Sequence, residues 1–160
     1  MSYTLIASQT LAANTGSVTF AGIPQQYTDL MLEFIGSETV AAHNLYLQFN
    51  GVATSTYSGT ALWGTGSAAS SDRRSNQTYF YVDRYGNGTA PASAQIHVMS
   101  YTNTSINKTS LIRFGAASGN TVEAHVGLWS STAAITSVTL GGGGLTLISS
   151  GSIARLWGVA

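Results

Sequence analysis

The run Asn44-Leu45-Tyr46-Leu47-Gln48-Phe49-Asn50-Gly51 decides the fold class. Leu45, Leu47 and Phe49 fall on one side of an extended chain, and Tyr46 and Gln48 fall on the other. This is the period of two of a half-buried strand. Asn50-Gly51 closes the run, because both residues tolerate the positive φ of a tight turn.

Outward from this strand the same pattern recurs about every ten residues, between clusters of Gly, Asn and Ser, and helical periodicity is almost missing. Val18 with Phe20, Leu30 with Leu32 and Phe34, Ile96 with Val98, Ile112 with Phe114, and Val122 with Val126 and Leu128 are the expected core sets. Weaker strands are expected at Tyr3–Leu11, Thr78–Val82, Ser137–Leu140, Leu145–Ile148 and Ile153–Val159. The fold class is therefore all-β, an antiparallel two-sheet sandwich of about ten strands in a single domain over residues 1–160. Pro24 and Pro91 fall in turn segments and interrupt no strand.

Two segments break the rhythm. Gly59–Gln77 is rich in Gly, Ala and Ser and holds the adjacent basic pair Arg73-Arg74, so it is expected as a long loop, a feature that is uncommon and often functional. Gly141–Gly144 is expected as a flexible hairpin connection; nothing after it reads as a helix that would hold a pyrophosphate.

Composition narrows the function classes. The chain is 44% hydrophobic and 8% charged, against about 25% charged in a typical globular domain. Six basic residues balance six acidic ones, so no basic stripe exists for phosphate backbones, and nucleic acid is not an expected partner. Zero net charge favours association, which suits an oligomer or a subunit of a larger assembly. Without cysteine there is no disulfide framework, thiolate nucleophile or Cys-ligated zinc. Residues 1–15 lack the pattern of a signal peptide, and no apolar run approaches a membrane span. Synthesis in the cytoplasm, with no membrane partner, is the expectation.

The lone Lys108 follows no glycine-rich phosphate loop, and no Gly-x-Ser-x-Gly elbow occurs. His43, His97 and His125 sit near three different strand signals in no recognisable ligand spacing; whether they converge is left open, and no metal or other cofactor is expected. Glu123 and His125 share one strand face, opposite Val122, Ala124 and Val126, and are expected as a solvated hydrogen-bonded pair. Asp29, Glu33, Glu38, Asp72, Asp83 and Glu123 are the whole carboxylate supply, and no motif pairs two of them across a sugar. No catalytic residue is assigned.

The framing residues carry a resemblance. Leu5-Ile6-Ala7-Ser8, Val18-Thr19-Phe20, Ile23-Pro24, Tyr27-Thr28-Asp29-Leu30 and Leu47-Gln48-Phe49-Asn50-Gly51 with Tyr57-Ser58 frame the first half. Gly127-Leu128-Trp129-Ser130, Ile135-Thr136-Ser137-Val138, Gly151-Ser152 and Leu156-Trp157-Gly158 frame the second. Together they resemble a family of small virion proteins of tailed phages, especially phages of cyanobacteria and other aquatic bacteria. The resemblance implies a jelly-roll-like sandwich without enzymatic activity, assembled as a homotrimer on the outer surface of the capsid or tail.

The leading expectation is a capsid decoration (cement) protein that binds itself and the major capsid protein. Sheet edges readily recruit partner chains, so Ser2–Leu11 is the expected docking strand, with Tyr3, Leu5 and Ile6 as contacts and Trp63, Arg73 and Arg74 of the long loop as the second set. The alternative is a tail-fibre or receptor-binding module touching host surface glycans. For it, Tyr79, Tyr81 and Tyr85, with Trp63, Arg73 and Arg74, supply stacking and hydrogen-bonding groups.

Overall fold

Leu45, Leu47 and Phe49 are fully buried, while Tyr46 and Gln48 are half-exposed, as their alternation requires. Asn50 and Gly51 both take positive φ, 53° and 65°, and Val52 N–H closes the turn on Phe49 O at 2.9 Å. The turn redirects the chain to the other sheet and makes no hairpin. The Asn50 side chain then holds 134–137: its Oδ1 accepts from Thr136 N at 2.8 Å and Ser137 N at 3.1 Å, and its Nδ2 donates to Ala134 O at 2.8 Å.

These observations come from a computed structural model that describes residues 2–40, 44–83, 89–116, 121–144 and 147–160. Among the described residues the strands are β1 (Tyr3–Thr10), β2 (Ser17–Ala21), β3 (Asp29–Gly36), β4 (Leu45–Phe49), β5 (Tyr57–Gly64), β6 (Ala69–Gln77), β7 (Phe80–Tyr81), β8 (Ala92–Met99), β9 (Lys108–Ala116), β10 (Thr121–Trp129), β11 (Ser137–Gly142) and β12 (Ile153–Val159). The large sheet runs β1-β12-β3-β8-β9-β10-β5-β6 and the small one β2-β11-β4-β7, with every pairing antiparallel. N-terminal strands lie beside C-terminal ones in both sheets, which gives the sandwich its jelly-roll-like winding.

Leu30, Leu32, Phe34, Ile96, Ile112 and Leu156 of the large sheet meet Val18, Phe20, Leu47, Phe49, Val138 and Leu140 of the small one in a single core. Each such side chain contributes about 1.5–3 kcal/mol on burial. One end of the core is aromatic: Phe49 lies 5.5 Å from Trp129 and 5.6 Å from Phe80, and Tyr57 stacks on Trp129 at 6.1 Å. Gly127 belongs to this packing, since a Cβ there would sit 2.5 Å from the Phe80 ring. The lone lysine is structural: Lys108 is fully buried, and its Nζ donates to the carbonyls of Asn103, of Ile106 at 2.9 Å and of Thr132 at 3.1 Å.

Three expectations are corrected. Gly59–Gln77 is not a loop: β5 and β6 fill most of it, paired from Gly64↔Ala69 to Tyr57↔Gln77 around a short turn. Nothing alternates in β6 because it is an edge strand with both faces largely exposed, held by pairing with β5. Gly141 and Gly142 are the last residues of β11, not part of a hairpin connection. Of the strand expected at Leu145–Ile148, residues 145 and 146 lie outside the described residues, and Ile148 makes isolated bridges to Thr15 and Glu38.

The third correction concerns β10, which is turned over relative to its apolar pattern. Glu123 and His125 face the interior, 5% and 6% exposed, and His125 Nε2 lies 2.8 Å from Glu123 Oε2. Val122 and Val126, expected in the core, are 70% and 53% exposed. Their 2.8 Å contact joins the pair inside, and Trp129 of the same row anchors the face in the aromatic cluster.

Candidate binding face of the large sheet

Register fixes which side chains share the outer face, the one turned away from the small sheet, because directly opposed residues point the same way. One row runs Arg155, Glu33, Gln95, Arg113, Ala124, Leu62 from β12 to β5. The next runs Leu5, Trp157, Met31, His97, Leu111, Val126, Thr60, Arg73 from β1 to β6.

The two ends of the face differ in chemistry. Across β12, β3, β8 and β9, Tyr3, Met31, Glu33, Gln95, His97, Leu111, Arg113 and Trp157 line a hollow of about 500 Å³. Trp157 Nε1 donates to Glu33 Oε2 at 3.0 Å. His97 Nε2 lies 2.8 Å from Asp29 Oδ2, and Asp29 Oδ1 accepts from Ser100 N at 2.7 Å, so both Asp29 oxygens are engaged. Gln95 and Arg113 have no side-chain hydrogen-bond partner among the described residues.

Toward β5 the face turns aliphatic. Every outward side chain of β10, namely Val122, Ala124, Val126 and Leu128, is apolar, and Leu62 of β5 and Leu111 of β9 flank them. Leu62 is 58% exposed. A groove of about 860 Å³ lies over this end and reaches Ile35, Gln95 and Arg113. Leu62, Leu111, Val122 and Val126 thus make a contiguous exposed aliphatic surface bounded by polar groups.

The residues expected from the sequence are distributed as follows. Tyr3 and Leu5 stand exposed on the outer face of β1, an edge strand, while Ile6 sits at an irregularity in the β1–β12 register and packs against the core. Arg73 is outward on β6, opposite Thr60, at the other edge of the sheet. Trp63 opposes Glu123 and points inward. Arg74 is inward too: its guanidinium lies 3.6 Å from the Tyr81 ring centroid, and its Nε is 3.3 Å from Asp72 Oδ2. Tyr79 and Tyr81 stack edge to face at 5.0 Å with their hydroxyls 3.4 Å apart. The hydrogen bond to Tyr81, with burial, pushes the Tyr79 phenol up to about 12. Arg74 and these tyrosines thus satisfy one another beside a cavity of about 30 Å³ that Asp83 and His125 also line. Tyr85 and His43 lie outside the described residues.

The three histidines do not form one site. His97 is on the outer face and His125 on the inner face of the same sheet, so they cannot share an ion. The described residues hold no cluster of three or more metal-ligating side chains. Glu123, beside His125, is enclosed between the sheets.

Glu33, Gln95 and Arg113 were not singled out by the sequence as a site. Their outward positions follow from alternation in β3, β8 and β9, but their adjacency depends on a strand order that brings residues 33, 95, 113 and 157 together.

Comparison with known proteins gives fold-level likenesses alone. No family model and no curated protein matches the chain. Among solved structures, a galectin of Caenorhabditis elegans, LEC-6, is 10% identical, covers 93% of this chain and 94% of its own, and has a TM-score of 0.41. The marine PL-14 alginate lyase of Aplysia kurodai is 8% identical, covers 84% of this chain and 71% of its own, and has a TM-score of 0.34.

Proposed function

We propose that this chain is a non-enzymatic structural subunit of a tailed-phage particle, a decoration protein that forms a homotrimer and binds the major capsid protein on the outside of the head. The observation that carries the reading is the aliphatic outer face of β10. A chain with 8% charged residues and no net charge gains little from exposing Val122, Val126 and Leu62 to water, and gains much from covering them with another subunit. That patch is the proposed subunit contact. The edge strand β1, with Tyr3 and Leu5 outward, is the proposed contact with the capsid lattice, through strand addition or side-chain packing. The resemblance of the framing motifs to those of phage virion proteins supports placing it in a particle.

Electron cryo-microscopy of particles carrying the protein tests the placement. Copies in threefold clusters over the head lattice are the expected result. Density confined to tail appendages would overturn the head assignment in favour of a tail-fibre or receptor-binding module.

A further inference from the structure

We propose that the hollow across β12, β3, β8 and β9 is an oligosaccharide-binding site, with Trp157 as the stacking platform and Glu33, Gln95 and Arg113 as hydrogen-bonding groups for sugar hydroxyls. Its shape, side-chain mixture, preparation and charge all suit a sugar.

The first is shape: the hollow of about 500 Å³ is roomy enough for a small ligand and lies on strands, which hold side chains more rigidly than loops do. The second is the mixture of groups. A pyranose ring presents an apolar C–H face and equatorial hydroxyls; an indole suits the former, and the planar carboxylate, amide and guanidinium suit neighbouring pairs of the latter. Glu33, Gln95 and Arg113 are directly opposed on consecutive strands, so they form a line of such groups alongside Trp157. With neighbouring strands roughly 4.8 Å apart, that line with Arg155 spans about 14 Å, a length that takes linked sugar units.

The third is preparation. Trp157 is fixed by its 3.0 Å bond to Glu33, whereas the Gln95 amide and Arg113 guanidinium are uncommitted to the described residues and meet water until a ligand replaces it. The fourth is charge. One carboxylate beside Arg113 and Arg155 gives no strongly positive surface for a polyanion, and the second acid on this face, Asp29, has both oxygens engaged by His97 and Ser100. One carboxylate, Glu33, thus stands beside the two arginines on this face, a set that suits hydrogen bonds to sugar hydroxyls.

The test uses the intact protein. An array of neutral oligosaccharides is probed with labelled protein, and each captured sugar is titrated while the Trp157 indole N–H resonance is followed, assigned by its loss in Trp157→Phe. A saturable shift of that resonance is expected, with binding weakened about tenfold by Gln95→Ala or Arg113→Ala, exposed changes that break no internal bond. Thr19→Ala, exposed on β2 of the other sheet, is expected to leave affinity unchanged. No captured sugar, no movement of the Trp157 signal, or equal loss in Thr19→Ala would overturn the assignment. A chain that trimerises without binding sugar contradicts this inference alone, and one that binds sugar as a monomer contradicts the subunit contact alone.

Discussion

Trp157 and Glu33, 124 positions apart in sequence, are joined on the outer face of the large sheet by an indole N–H to carboxylate bond of 3.0 Å. The bond ties β12 to β3 at the point where the C-terminal strand meets the first half of the chain. Glu33→Ala is expected to cost about 1 kcal/mol in chemical denaturation and to move the Trp157 indole N–H resonance toward that of a water-exposed indole. An unmoved resonance would show that the bond does not form in solution.

Neighbouring residues of β10 should respond oppositely to substitution. Glu123→Ala leaves His125 buried without its 2.8 Å partner and is expected to destabilise by about 2–3 kcal/mol. Val122→Thr, on the exposed side, is expected to stay within about 0.5 kcal/mol for the isolated chain. Urea midpoints of the two variants decide which face of the strand is inside.

Gly127→Ala places a methyl group 2.5 Å from the Phe80 ring. Overpacking of this kind costs about 1–3 kcal/mol. In the double variant with Phe80→Leu the loss should fall short of the sum of the single losses, a coupling that a thermal-denaturation cycle measures directly. Strict additivity would separate the two residues.

Asp83 gives the fold a pH dependence of defined sign. Burial, reinforced by the nearby Glu38 carboxylate, raises it well above the ordinary 3.8, despite hydrogen bonds from Asn44 Nδ2 at 3.0 Å and Leu45 N at 3.1 Å. Between 3.8 and the raised value the folded chain keeps a proton that the unfolded chain releases, so stability falls as pH rises through that window. Below 3.8 both states are protonated and this group contributes no slope. Asp83→Asn, which keeps the accepting oxygen and loses the charge, is expected to flatten the profile and to be at least as stable at neutral pH. Denaturant midpoints across the acid range measure it, and an unchanged slope would assign the dependence to other groups.

These cases show what the sequence could disclose. Strands β3, β4 and β8 were legible because one face of each is apolar and buried, and β9 through Ile112 and Phe114, although Lys108 and Ser110 share that buried face. Strand β6, Ala-Ser-Ser-Asp-Arg-Arg-Ser-Asn-Gln, has no apolar face; only its ladder with β5 makes it a strand, and a ladder is a tertiary fact. In β10 the usual rule of apolar in and polar out is inverted: Glu123 and His125 are paired inside while the valines remain outward. The hollow around Trp157 could be read only in part: alternation points each lining residue outward, but nothing local says that strands β12, β3, β8 and β9 are adjacent. Tyr79, Tyr81 and Arg74, conspicuous in the sequence, are engaged with one another.

The central claim is assembly through the outer face of β10, and the molar mass of the purified chain in solution tests it most directly. Light scattering coupled to size exclusion is expected to give three times the 16.6 kDa chain mass, falling to that of a single folded chain in Val126→Asp, whose side chain points outward and is half-exposed. A wild-type mass of 16.6 kDa at micromolar concentration, or a Val126→Asp variant that keeps the wild-type mass, would contradict the account.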